Sequence, residues 1–311
     1  MKIVLLDAST LGDLEVINEL KRFGDFVSYQ TTTCHQTVER IIDAEIIITN
    51  KVVIDAQVME QCKSLKLICV AATGMNNIDL EFAKKNGIEV KNVSGYSTES
   101  VAQQTFSMLL SLTNHVNYYS NYVQSGNYSQ SSIFTLVDKP IFELNNKTLG
   151  IIGMGTIGRR VAKIAQAFGM KVIYYSASGV ERKEEFHKVD FDTLLAQSDV
   201  LTIHAPLTDK TKNIIDYKAI SKMKTTAILL NAGRGGIVNE NDLVNALNEN
   251  LIKAAGLDVF EKEPLSIDSH LLKINNPEKL LMFPHIAWAS VEARNTLVKV
   301  IIKNIESFLT I

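Results

Sequence analysis

Apolar and polar positions alternate in blocks along this chain. Apolar runs at residues 3–6, 44–49, 67–71 and 88–93 are short and bounded by polar or turn residues, which predicts buried strands. Between them, residues 14–22, 37–42, 56–62 and 80–85 carry apolar side chains at helical spacing. That alternation predicts a parallel sheet with helices on its faces. The same rhythm returns later, with strands predicted at 149–152, 172–175, 200–203, 227–230, 254–259 and 280–283. Helices are expected at 191–197, 220–223, 240–248 and 292–309. The longest helical pattern joins the halves, from the cap residue Ser97 to about Val123. Its Val101, Phe106, Met108, Leu109, Leu112 and Val116 cover more than one face, which predicts burial on two sides, between domains or between subunits. Polar residues 124–132 predict a loop.

The stretch from 149 to 176 organises the rest. Gly153, Gly155 and Gly158 follow the first strand of the second half and open a helix with Val161, Ile164, Ala165 and Phe168 on one face. Gly169 ends that helix, and the run 172–175 completes a strand–turn–helix–strand unit. The G-x-G-x-x-G spacing carries weight because of that context. Its first glycine permits the tight turn, its second lets backbone approach a pyrophosphate, and its third lets helix and strand pack closely. Amides at the helix start, with the positive end of its dipole, suit a diphosphate. The first 95 residues hold no such motif, so the dinucleotide belongs to the second half. In the first half the loop 72–77, including Thr73 and Gly74, follows a predicted strand. It reads either as a connecting turn or as a cradle of amides for a carboxylate.

Composition narrows the class. The 311 residues exceed one ordinary core and point to two domains, and 46% hydrophobic residues can fill them. A formal charge of −2, without basic runs, argues against nucleic acid and anionic membrane partners. Cys34, Cys62 and Cys69 show no metal-ligand spacing and fit a reducing compartment. No apolar run reaches spanning length, and the first residues read as a strand rather than a signal peptide. The expectation is a cytoplasmic protein with no metal.

Strand ends in the second half carry the candidate chemistry. Arg234 lies among glycines, and its planar fork suits a carboxylate with an adjacent carbonyl. His285 could donate a proton to a developing alkoxide, with Glu263 orienting the ring and favouring its charged form. Asp258 could reach a nicotinamide carboxamide, and His204 borders the cofactor. Each has a bland alternative: a surface Arg, a solvated Glu, a His in a loop. His35, His115, His187 and His270 show no companion groups and read as structural or solvated.

Five runs give a specific resemblance. They are residues 149–158, HAPLT at 204–208, NAGRGGIV at 231–238, GLDVFEKEP at 256–264 and PHIAW at 284–288. Over nearly its whole length the chain resembles the D-2-hydroxyacid dehydrogenase family. NVSGYSTESVA at 92–102 and PHIAWAS resemble its glycerate dehydrogenase (hydroxypyruvate reductase) branch. The resemblance implies two doubly wound parallel-sheet α/β domains. A flavodoxin-like substrate domain would take residues 1–96 and 287–311, and a Rossmann dinucleotide-binding domain residues 97–286, with a cleft between them.

It also implies roles. Arg234 would bind substrate carboxylate and carbonyl, Glu263 and His285 would form the acid–base pair, and Thr73, Gly74 and Trp288 would contact substrate. NAD or NADP would be held by Gly153, Gly155, Thr156, Ile157, Gly158, Ser176, His204, Ala205, Pro206, Thr211, Asn231, Ala232, Gly233, Asp258 and Thr98. The implied reaction is reduction of a small 2-oxoacid, hydroxypyruvate or glyoxylate, to D-glycerate or glycolate, by a homodimer built on the long helix. D-lactate or branched 2-oxoacid reduction is an alternative within the family. A dinucleotide-sensing scaffold like the C-terminal-binding corepressors is an alternative outside catalysis.

Two positions depart from the family pattern. Ser176 stands where NAD-specific members commonly carry an acid, with Ser178, Arg182 and Lys183 near enough in sequence to meet a 2′-phosphate. Gln103 stands where many relatives have Glu.

Overall fold

The computed structural model describes residues 1–179 and 183–310. Arg182 therefore lies outside the described residues. The chain forms two compact units, Met1–Ser97 with the segment from Trp288 onward, and Thr98–Ala287.

The first unit begins with β1 (Lys2–Leu5), β2 (Asp25–Ser28), α1 (Cys34–Ile41), β3 (Ile46–Thr49), α2 (Ala56–Gln61), β4 (Leu67–Val70), α3 (Leu80–Lys85) and β5 (Glu89–Lys91). Its five strands are all parallel in the order β2-β1-β3-β4-β5. That is the flavodoxin-like order. Successive strand residues serve opposite faces. Ile3, Leu5, Ile46 and Ile48 join one apolar core, while Val4, Leu6 and Ile47 join the other. Both cores are closed by helices, so these strands read as continuous apolar runs. Two local readings need correction. Residues 14–22, expected as an α-helix, form the 3₁₀ segment Glu15–Phe23, and β2 was not expected. β2 is a four-residue edge strand with no fully buried residue, too short and too polar to show periodicity.

The second unit holds α4 (Thr98–Asn114), α5 (Val116–Gln124), β6 (Thr148–Ile152), α6 (Thr156–Ala167), β7 (Lys171–Tyr175) and β8 (His187–Lys188). It continues with α7 (Phe191–Gln197), β9 (Val200–Ile203), α8 (Tyr217–Ser221), β10 (Ile228–Asn231), α9 (Glu240–Asn248), β11 (Ala254–Leu257) and β12 (Leu280–Met282). The sheet order is β12-β11-β10-β9-β6-β7-β8, again parallel throughout. Strand order reverses at β6 and β9, the place where such sheets open a crevice at their carboxyl ends.

The expected single helix from 97 to 123 is two helices. His115 takes a left-handed φ of 51° and breaks the pattern. α4 buries Val101, Phe106, Met108, Leu109 and Leu112, whereas α5 buries nothing. The expected 220–223 helix begins earlier, at Tyr217, because Asp216 caps it by accepting the Ala219 amide at 2.8 Å. A 3₁₀ turn, Tyr128–Gln130, lies within the expected loop 124–132.

α10 (Val291–Leu309) closes the chain and belongs to the first unit. Its Leu297, Val298, Ile301, Ile302 and Ile305 enter the core with Ile3 and Leu5. Cys62 and Cys69 are buried, and burial pushes the Cys69 thiol up to about 12, so it packs as an apolar group. No helix among the described residues is long and apolar enough to cross a membrane.

Candidate active site

The glycine loop joins β6 to α6. Gly153 has φ +95°, and a Cβ there would lie 2.6 Å from the His204 carbonyl oxygen. A Cβ on Gly158 would strike the Gly153 carbonyl. These two glycines are thus required by packing. Gly155 is different, because nothing lies within 4 Å of a Cβ built on it. It caps α6 without a side chain, and the first-turn amides of Thr156, Ile157 and Gly158 can have no acceptor inside the helix. Open space above free amides and a helix dipole fits a dinucleotide pyrophosphate. The Gly153 amide donates to the Tyr175 carbonyl at 3.0 Å, which places Ser176 beside the same loop. Arg159, unremarked in the sequence, holds Glu184 with Nε and Nη2 at 3.0 and 2.7 Å, tying α6 to the chain beyond β7.

Across the strand-order reversal, His204 follows β9. Its Nε2 lies 3.0 Å from the Thr202 hydroxyl, while Nδ1 is buried without a partner among the described residues. Burial pushes this imidazole down to about 4, so it stays neutral at working pH and contributes no ionisation near neutrality. Ala205 and Pro206 continue this edge. Thr211 is buried, and its hydroxyl donates to the Pro206 carbonyl at 2.7 Å and accepts the Thr208 amide at 2.8 Å. Its observed work is to shape the turn that carries Pro206.

The loops after β10, β11 and β12, three neighbouring strands, carry the ionisable residues. Asn231 shapes the first loop. Its Oδ1 accepts the Gly233 amide at 3.0 Å, and its Nδ2 donates to the Arg234 carbonyl at 2.9 Å. Ala232 lies in this loop. The exposed Arg234 side chain donates through Nη1 to the Gly233 carbonyl at 2.9 Å. Gly235 lies so near the Phe260 carbonyl that a Cβ would overlap it, so the Arg234 loop packs directly on the next one.

Asp258, expected to reach a nicotinamide carboxamide, has a second role in its own loop. It is fully buried, and its two oxygens accept the Ile286 and Ala287 amides at 3.0 and 2.9 Å. Burial raises its carboxyl above the usual range, against the lowering effect of those two amides. Sequence reasoning missed this use because the donor amides are 28 and 29 residues away. The consequence is a fixed loop around His285, whose φ is +55°. Glu263 Oε1 accepts the Phe260 amide at 3.0 Å, and its Oε2 lies 2.7 Å from His285 Nδ1. Glu263 and His285 side chains retain 33% and 24% exposure, so a reacting group can reach them. The structure therefore brings Glu263 and His285 together, and sets Arg234 on the adjoining loop.

In the first unit, the loop after β4 is held by three bonds. The Thr73 hydroxyl donates to the Val93 carbonyl at 3.0 Å, Asn92 Nδ2 donates to the Thr73 carbonyl at 2.7 Å, and the Val93 amide donates to the Ala72 carbonyl at 3.1 Å. The Thr73 and Gly74 amides have no acceptor among the described residues. Trp288 packs edge-on against Tyr96, with ring centroids 6.2 Å apart.

The chain is similar to known proteins. Residues 106–287 match the family description "D-isomer specific 2-hydroxyacid dehydrogenase, NAD binding domain". The chain is 40% identical to a hydroxypyruvate reductase of Blautia hydrogenotrophica, covering 99% of this chain and 97% of that one. It is 38% identical to a glycerate dehydrogenase of Methylorubrum extorquens, covering 99% and 96%. The crystal structure of a D-lactate dehydrogenase from Aquifex aeolicus, complexed with NAD and lactic acid, aligns with a TM-score of 0.83 at 30% identity, covering 100% of this chain and 96% of that one. Glycine loop, strand orders and full-length similarity agree: this chain belongs to the D-isomer specific 2-hydroxyacid dehydrogenase family.

Proposed function

We propose that the chain reduces a small 2-oxoacid, hydroxypyruvate first and glyoxylate second, to the D-hydroxy acid. The observation that carries this reading is the Glu263–His285 contact at 2.7 Å, with the second Glu263 oxygen anchored on the Phe260 amide. A carboxylate at Nδ1 fixes the ring and leaves Nε2 as the position from which a proton can be delivered. Arg234 binds the substrate carboxylate and carbonyl oxygen with its fork, and so also stabilises charge building on that oxygen. The Thr73 and Gly74 amides are assigned to the carboxylate, and Trp288 to substrate contact. When bound, a reduced nicotinamide supplies hydride to the carbonyl carbon.

The residues assigned to the cofactor are Gly153, Gly155, Thr156, Ile157, Gly158, Ser176, His204, Ala205, Pro206, Thr211, Asn231, Ala232, Gly233, Asp258 and Thr98. Asp258 also fixes the His285 loop. We assign residues 1–96 and 287–311 to the substrate domain and 97–286 to the dinucleotide domain. Oxidation of NADH or NADPH with hydroxypyruvate, glyoxylate, pyruvate and 2-oxoisocaproate tests the reaction. Hydroxypyruvate should give the highest kcat/KM. A preference for pyruvate or the branched acid would replace the substrate assignment, and no turnover on any would remove the enzyme reading.

An Asp at position 176 would bond the ribose 2′-hydroxyl and repel a 2′-phosphate. Ser176 does not repel it, so the reading is relaxed or NADP-tolerant use. Ser176→Asp should raise the NADH/NADPH ratio of kcat/KM. An unchanged ratio would remove Ser176 as the selector.

The chain is assigned as a cytoplasmic homodimer with much of its interface on residues 98–123. Val116 and Val123 on α5 are exposed, and Phe134 and Val137 beyond it are 88% and 86% exposed, an apolar surface that a second copy would cover. Sedimentation should give twice the chain mass; a monomer at micromolar concentration would contradict the assignment.

A further inference from the structure

α9 starts immediately after the Arg234 loop, and its first residue, Glu240, reaches the turn that presents Glu263. The Glu261 amide donates to Glu240 Oε1 at 2.6 Å, and the Glu240 amide donates to Glu261 Oε1 at 3.2 Å. These two reciprocal bonds join residues 21 apart in sequence. One residue earlier, the Phe260 amide is bonded by Glu263 itself. Successive amides of the turn are thus held by two carboxylates, one catalytic and one on α9. Gly235 packs on the Phe260 carbonyl at the same junction.

Glu240 is half-buried, and its carboxyl is raised above the usual range by burial, with the charges of Glu261 and Glu263 adding and the Glu261 amide opposing. The charged and titratable groups around it are Glu261, Glu263, Lys262, Asp268 and His270, with Asp242 on its own helix bonded to the Tyr217 amide. A third carboxylate placed where it feels Glu263 costs stability and is not needed to cap α9, because Asn239 already accepts the Asp242 amide at 3.0 Å.

We propose that Glu240 is a positioning residue for the reaction: it holds the Glu263 turn in register with the Arg234 loop. This rests on the acid–base reading of Glu263 and His285. Substitution isolates that contact. Glu240→Gln keeps an acceptor oxygen for the Glu261 amide, while Glu240→Ala removes it.

The test is kcat and KM for hydroxypyruvate reduction across pH in both variants, with thermal melts as the folding control. Glu240→Ala should lower kcat about tenfold, since small displacements of catalytic groups are costly, with the KM for NAD(P)H unchanged. Glu240→Gln should recover most of kcat, because its amide oxygen can still accept from the Glu261 amide. If Glu240→Ala fails to fold, Glu240→Leu, which fills the site without an acceptor, takes its place, and parental kcat in it overturns the proposal. Parental kcat in the variants lacking the acceptor, while His285→Ala is inactive, would remove this inference and leave the reaction standing. Activity retained by His285→Ala would remove the acid–base reading itself.

Discussion

His285→Ala should lower the rate of hydroxypyruvate reduction about a hundredfold or more, the usual contribution of a positioned general acid. The expectation follows from geometry. Glu263 is fixed at one oxygen by a backbone amide and at the other lies 2.7 Å from Nδ1, and the loop around His285 is tied to the buried Asp258 through two amides. Ring and partner are therefore positioned before substrate arrives. Reduction needs the protonated imidazole, so its rate should fall as pH rises. Oxidation of the hydroxy acid needs the neutral imidazole and should show the opposite trend. His204 adds nothing to either profile near neutrality, since burial holds it at about 4. Steady-state rates in both directions across pH check this. Near-full reduction by His285→Ala, or parallel pH trends in the two directions, would overturn the mechanism.

Arg234→Ala should damage binding and turnover together. Its fork is assigned to both the carboxylate, present in ground and transition states, and the carbonyl oxygen, where charge grows only during reaction. Removing one preorganised donor to such a charge costs about a hundredfold to a thousandfold in kcat, and KM for the oxoacid should rise as well. Arg234→Lys should fall between the two, because an ammonium keeps the charge and loses the paired donors. The loop itself should survive, since it is shaped by the Asn231 side chain and not by the guanidinium beyond one bond to Gly233. A variant with altered KM and parental kcat would confine Arg234 to ground-state binding.

Local chemistry made part of this protein legible in advance. Strands buried on both faces appear as unbroken apolar runs, so residues 3–6, 67–71, 149–152 and 200–203 announced β1, β4, β6 and β9 within a residue. The glycine loop was equally plain, because turn, close approach and helix start are adjacent in the chain. Family likeness then pointed to Arg234, Glu263 and His285.

What the sequence determined by itself was the parallel α/β architecture, the glycine loop and the residue types at the strand ends. Tertiary structure alone decided the rest. The left-handed turn at His115 divides a continuous helical pattern, and β2 and β8 pair only because a finished strand lies beside them. Asp258 anchors the His285 loop, and Glu240 meets Glu261, through partners more than twenty residues away. Periodicity records which face of an element is apolar. It carries no record of which polar groups meet when three neighbouring strands deliver their loops to one edge.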